Sequence, residues 1–317
     1  MRKAILAVIG VGAALLASIG ALHPLTAQGT RCEEHPIVCK MISKRLGEVE
    51  PEDRINPTGA EELSYGPDPS QRIDYWQGTS KEGGGSLLIF IHGGGWTRGD
   101  KASATGPAKV NWATANGYDF ASVNYRLVPK VTVEDQARDI AAAIRYLRHH
   151  AGELGFDADR IMLAGHSAGS HLAALIGTDE RYLGDDLKAI RAVILLDGAG
   201  YDLPRQLRDA GRFEAKIYAQ PFGSLDAATL TRLSPTAHAG PPNANSFLII
   251  YDAERANAVR QSEGLDAALR QAGTPAELLP VKGSNHIGIN FDLGKAGNVE
   301  TMHADAFLAK AGLASDQ

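Results

Sequence analysis

Cysteine is nearly absent: the 317 residues contain two, Cys32 and Cys39, both close to the N-terminus. Neither stands near a catalytic motif, so a thiol nucleophile is not expected. In an oxidising compartment the pair suits one local disulfide. Closing so short a loop would remove only about 2.5 kcal/mol of unfolded-state entropy, enough to pin a chain end. A surplus of positive charge is also missing. The formal net charge is -5, which leaves no broad basic field and excludes a nucleic-acid partner on electrostatic grounds. There is no H-E-x-x-H and no clustered ligand spacing of the kind zinc hydrolases use, so neither metal nor cofactor is expected. Internal repeats and low-complexity tracts are lacking. With 44% hydrophobic and 22% charged residues, the chain can bury a full core, and its length fits one large α/β domain.

The first residues differ from the rest. Arg2 and Lys3 precede an apolar stretch over residues 4–22, then Leu25-Thr26-Ala27 and a polar run. This pattern reads as a signal peptide over residues 1–27, implying a periplasmic or secreted protein with no stable membrane association after cleavage. The alternative is an uncleaved membrane anchor, against which Gly10, Gly12, Gly20 and Pro24 interrupt the apolar run. Residues 28–64 form an N-terminal segment carrying the two cysteines, and residues 65–317 the main domain.

Within that domain, short apolar runs alternate with helical periodicity. Residues 87–91, 120–123, 160–164, 192–196, 247–251 and 278–281 read as strands, and residues 133–147, 168–176 and 257–271 as helices. Parallel strands need crossover helices, so this order predicts a mostly parallel central sheet with helices on both faces. Ligands on such sheets bind beyond the carboxyl ends of the strands. Residues 201–242 break the rhythm and read as a small lid insertion between the sixth and seventh strands.

Two glycine motifs follow strands. Gly165-His166-Ser167-Ala168-Gly169 lies between a strand and a small-residue helix, the context in which a tight turn lifts a serine hydroxyl out of the sheet. Ser167 is therefore the candidate nucleophile. His92-Gly93-Gly94-Gly95-Trp96 follows the strand 87–91, and its glycines let amides converge on an oxygen that becomes negative during acyl transfer. The expected oxyanion donors are the amides of Gly94, Gly95 and Ala168. His286, in Gly283-Ser284-Asn285-His286, stands in the loop after the last strand and is the expected base. His303, His238, His149 and His150 fall on helix or insertion positions, His166 and His171 flank the serine too closely, and His92 suits bracing of the glycine loop. The third partner, which would orient His286, is expected just after the strand 247–251. Glu254 is favoured by its offset of three residues, and Asp252 is the alternative.

Together, His92-Gly93-Gly94-Gly95-Trp96, Asn124-Tyr125-Arg126-Leu127, Gly165-His166-Ser167-Ala168-Gly169 and the late His286 resemble the hormone-sensitive-lipase-like branch of the α/β-hydrolases, from about Tyr65 to the C-terminus. Tyr65-Gly66, Arg72-Ile73-Asp74 and Gly99-Asp100-Lys101 are similar to bacterial feruloyl or acetyl esterases and arylformamidases. Counting back from Gln261-Ser262-Glu263 places that family's acid on Glu254, a departure from the commoner Asp. The resemblance implies an α/β-hydrolase fold and a cofactor-free serine esterase acting on small carboxylic esters through an acyl-enzyme. An amidase or arylformamidase, or a binding protein that has lost turnover, are the competing readings.

Overall fold

The run Leu87 to Ile91 is apolar at every position because it is covered on both sides. The computed structural model, which describes residues 49–79, 84–210, 212–223 and 225–313, shows how. In strand β3 (Gly85–Ile91), Leu87, Ile89 and Ile91 enter one hydrophobic core while Leu88 and Phe90 enter another on the opposite face. This is the period-two alternation of a strand, with both faces buried as parallel sheets require. Each such fully buried side chain contributes about 1.5–3 kcal/mol relative to exposure.

Eight strands form one sheet: β1 (Glu61–Ser64), β2 (Arg72–Trp76), β3, β4 (Asp119–Val123), β5 (Phe156–His166), β6 (Ile190–Leu196), β7 (Phe247–Asp252) and β8 (Ala276–Val281). Their order is β1-β2-β4-β3-β5-β6-β7-β8. β1 and β2 are antiparallel additions at one edge, and the other six strands are parallel. The parallel core agrees with the sequence reading. The edge pair was not foreseen, because Glu61–Ser64 is largely exposed and shows no apolar run.

The α-helices longer than a single turn among the described residues are α1 (Pro107–Ala115), α2 (Val133–His149), α3 (Ala168–Thr178), α4 (Leu203–Asp209), α5 (Arg212–Phe222), α6 (Ala227–Arg232), α7 (Ala256–Gln271), α8 (His286–Asp292) and α9 (Val299–Lys310). Ile140 and Ile144 of α2, Leu172 of α3 and Leu265 of α7 belong to one core, and Val110 of α1 and Phe307 of α9 to the other. α2 starts where Thr132 and Asp135 cap each other reciprocally, each side chain accepting from the other's amide at 3.1 Å. The helices α4, α5 and α6 occupy the predicted insertion between β6 and β7. The signal-peptide segment 1–27 and the Cys32–Cys39 pair lie outside the described residues.

One contact explains why a small residue begins α3. A Cβ built on Gly169 would lie 2.0 Å from the Ile91 carbonyl oxygen, so the helix meets the end of β3 at backbone distance. Gly169→Ala is expected to lower stability by about 3 kcal/mol or more, since the obstruction is backbone that cannot rotate away. Gly152→Ala, where nothing lies within 4 Å, should be neutral or slightly stabilising. Urea unfolding of the two variants checks this, and equal midpoints would contradict it.

Candidate active site

At the carboxyl end of β5 the chain turns sharply into α3. Ser167 sits in that turn with φ 56° and ψ -116°, a conformation L-residues rarely adopt, held because both flanking elements are buried. Its amide donates to the Leu196 carbonyl at 3.0 Å, and its side chain remains partly exposed. The Ser167 Oγ lies 3.1 Å from His286 Nε2, within reach for proton transfer.

His286 is the first residue of α8 rather than part of a loop. Asn285 caps that helix, its Oδ1 accepting from the Ile287 and Gly288 amides at 3.1 and 2.8 Å. His166 Nε2 donates to the His286 carbonyl at 2.8 Å, and the two rings lie 4.5 Å apart. Burial holds the His166 imidazole well below its usual range, with the charge of His286 adding to that effect. It therefore stays neutral and supplies a fixed N–H donor. Below, the buried Lys109 ammonium donates to the Asn290 carbonyl, tying α1 to α8. Burial pulls Lys109 down to about 7.

The carboxylate on the far side of His286 is not Glu254. Asp197 Oδ2 lies 2.7 Å from His286 Nδ1, whereas Glu254 is exposed and its amide donates to Asp252 Oδ1 at 2.8 Å. Asp252, the alternative, thus spends one carboxylate oxygen on its own turn. The reason lies in the sheet. Leu196 of β6 pairs with His166 of β5 and with Ile250 of β7, so the residue after Leu196 emerges beside the serine, one strand nearer than anything following β7. Asp197 is fully buried with φ 41°. Its Oδ1 accepts from the Asp252 amide at 3.1 Å, and the Arg255 guanidinium bonds Oδ2. Burial pushes the Asp197 carboxyl up, but the His286 hydrogen bond and charge, the Arg255 guanidinium and the Asp252 amide outweigh it and hold the group at about 2. It is a carboxylate at every ordinary pH. The sequence did carry a signal: a lone carboxylate immediately after a buried parallel strand and before Gly198.

The glycine loop faces this assembly. Gly94, at φ 118°, turns the chain back so that its carbonyl accepts from Thr97 and Arg98 at 3.3 and 3.2 Å. Because a peptide plane sets N–H opposite C=O, the Gly95 amide points the other way. Among the described residues, neither the Gly94 nor the Gly95 N–H has a backbone acceptor. The Ala168 N–H, first in α3, has no intrahelical partner either. His92 braces the loop as expected: its Nδ1 donates to the Gly93 carbonyl at 2.7 Å, its ring stacks on Tyr125 at 4.4 Å, and the Tyr125 hydroxyl donates to its carbonyl at 2.8 Å. Asn124 links Asp100 and Lys101, its Nδ2 donating to Asp100 Oδ2 at 2.9 Å and its Oδ1 accepting from the Lys101 amide at 2.6 Å.

Trp96 closes one side. Its Nε1 donates to His171 Nδ1 at 3.2 Å, while His171 Nε2 donates to the Leu233 carbonyl at 2.8 Å. Burial lowers His171 to about 4, so it remains the neutral tautomer both bonds require. From the insertion, Phe222 and Tyr218 meet the Trp96 ring at 4.9 and 6.4 Å between centroids.

The BD-FAE family matches residues 73–195. Among curated proteins, a probable carboxylic ester hydrolase, LipM, of Mycobacterium tuberculosis is 30% identical over 66% of this chain and 51% of its own length. A probable isoprenylcysteine alpha-carbonyl methylesterase of Arabidopsis thaliana is 25% identical over 79% of this chain and 56% of its own. The chain therefore spans about half the length of the curated relatives it matches. Among solved structures, esterase 2 of Thermogutta terrifontis superposes with a TM-score of 0.66 at 23% identity, over 84% of this chain and 99% of that one, a likeness of fold. The eight-stranded sheet and the fold likeness give this chain the α/β-hydrolase fold, and its residues 73–195 match the BD-FAE family.

Proposed function

We propose that the protein is a serine esterase that cleaves small carboxylic esters through an acyl-enzyme on Ser167, with His286 as base and Asp197 as the orienting acid. The observation that carries this reading is the continuous chain Ser167 Oγ, His286 Nε2, His286 Nδ1, Asp197 Oδ2, at 3.1 and 2.7 Å. When Asp197 accepts from Nδ1–H, the Nε2 lone pair faces the serine hydroxyl. The Oγ proton then passes to Nε2 as Oγ attacks the ester carbonyl, and the imidazolium returns it to the departing alcohol. Water repeats the sequence to release the acid. The tetrahedral oxyanion would sit among the Gly94, Gly95 and Ala168 amides. Such donors act without reorganising during reaction, and each is worth about 3 kcal/mol of transition-state stabilisation.

The relatives' names support ester rather than amide cleavage: LipM is a probable carboxylic ester hydrolase, and a segment of 114 residues is 35% identical to the M. tuberculosis esterase LipC. The acyl group is proposed to be small, of the acetyl, aryl or feruloyl type, since the motifs around Tyr65-Gly66 and Gly99-Asp100-Lys101 are similar to those of such esterases. Export to the periplasm or beyond is part of the proposal, supported by Arg2-Lys3 before the apolar residues 4–22.

Short-chain p-nitrophenyl esters test the assignment. Ser167→Ala should lose about four orders of magnitude or more in kcat, and Asp197→Asn about four, since Asn stabilises the wrong histidine tautomer. Glu254→Gln should stay within about twofold, as expected of an exposed side chain away from the base. A larger loss for the Glu254 variant than for the Asp197 variant would overturn the choice of acid, and unchanged turnover in Ser167→Ala would overturn the whole reading. For localisation, N-terminal sequencing of protein recovered from a periplasmic fraction should start at Gln28; full-length protein confined to the cytoplasm would sink the export proposal.

A further inference from the structure

Asp197 serves two partners. Its Oδ2 accepts from His286 Nδ1 and also binds Arg255 Nη1, and that same Nη1 lies 2.9 Å from His286 Nδ1. Two nitrogens thus meet at one oxygen and touch each other. The arrangement admits two proton placements. In one, Nδ1 carries hydrogen and donates to Asp197, leaving Nε2 free to accept from Ser167. In the other, Arg255 donates to a bare Nδ1, so Nε2 carries hydrogen and cannot take the serine proton. The carboxylate favours the first placement and the guanidinium the second. The pair Asp197 and Arg255 is also neutral overall, so an imidazolium formed beside it meets less net negative charge than beside a lone carboxylate.

The other charges around His286 do not duplicate this role. His166, from the elbow, is neutral and donates to the His286 carbonyl, not to its ring. Lys109 of α1 bonds the Asn290 carbonyl. Asp252 accepts from the Glu254 amide, and Glu254 is exposed. Arg255 is the cation that touches both the acid and the base, with its side chain 26% exposed and the Asp197 side chain at zero. Burial on one side keeps the interaction from being screened away.

We propose that Arg255 is a positioning residue that shares Asp197 Oδ2 with His286 and sets the charge against which the base is protonated. This rests on the esterase reading of Ser167, His286 and Asp197. Arg255 lies on the Nδ1 side of the imidazole, away from the substrate-facing Nε2, so it acts through the base rather than on the ester. Its fixed positive charge resists a second positive charge on the ring.

The test is the pH dependence of kcat/KM for p-nitrophenyl acetate, measured in the full-length protein, with Ser167→Ala as control. In Arg255→Met the acid limb should move about one unit to higher pH, which is about tenfold less activity at a fixed acid pH. KM should be unchanged. Arg255→Lys, which keeps the charge, should keep the native limb. Arg255→Gln takes the place of the Met variant if that variant does not melt cooperatively. A limb in the uncharged variants that superimposes on the native one, or moves to lower pH, overturns the proposal. So does an identical shift in Met and Lys variants, which would mean that shape and not charge matters. Those results leave the esterase reading standing, whereas native turnover that survives in Ser167→Ala overturns both.

Discussion

The pairing of His166 with Leu196 across β5 and β6 brings the elbow serine and the buried aspartate to the same edge of the sheet at once. Parallel strands in register end at the same level, so the residues following them emerge side by side. The Ser167 amide bonded to the Leu196 carbonyl locks that level. His286 then needs only to reach across from α8, and His166 holds its backbone while Asp197 holds its ring. A slip of one residue between these strands would displace Asp197 from Ser167 and break the chain of hydrogen bonds through His286.

A second layer of constraint surrounds the glycine loop. In the proposed reaction its amides point at an oxygen that carries charge only briefly, and backbone without side chains has little of its own to hold it. The residues around it supply the rigidity: His92 bonded to Gly93, Tyr125 stacked on and bonded to His92, Asn124 bridging Asp100 and Lys101, and Gln136 of α2 donating to the Trp96 carbonyl at 2.6 Å. Asp139, on the same helix, accepts from Arg126 through both oxygens and from Gln71 at 3.0 Å. The segments that gave the sequence its family resemblance, around Asn124-Tyr125-Arg126 and Gly99-Asp100-Lys101, are thus scaffolding for the loop. None of them touches the reacting atoms.

This division also explains what could be read in advance. The parallel core was legible because strands buried on both faces are continuous apolar runs, and Ser167 and the glycine loop because their backbone geometry demands glycine at fixed spacings. His286 was reachable by order along the chain. The acid was not, because its one signal, a carboxylate at the end of an apolar run, is shared by Asp252 at the end of β7. Its identity depends on which strand ends beside the serine, and strand order is a property of the assembled sheet. Asp197 follows an apolar run that reads as a strand, yet nothing in that run reveals that β6 lies next to β5. The strands β1 and β2 were missed for a simpler reason: β1 is largely exposed, and β2 alternates charged with apolar residues, so neither shows the continuous apolar run of the core.

Trp96 belongs to two neighbourhoods that are usually treated apart. Through its backbone it continues the glycine loop, and through its ring it supports Phe222 and Tyr218 of α5 and donates to His171. The aromatic cluster on α5 and the glycine loop therefore share one residue. Such sharing couples the two mechanically: changing the Trp96 side chain also disturbs the glycine loop that it continues. Phe222 and Tyr218 meet the tryptophan through its ring, so exchanging them changes what packs on Trp96 without touching the backbone of the loop.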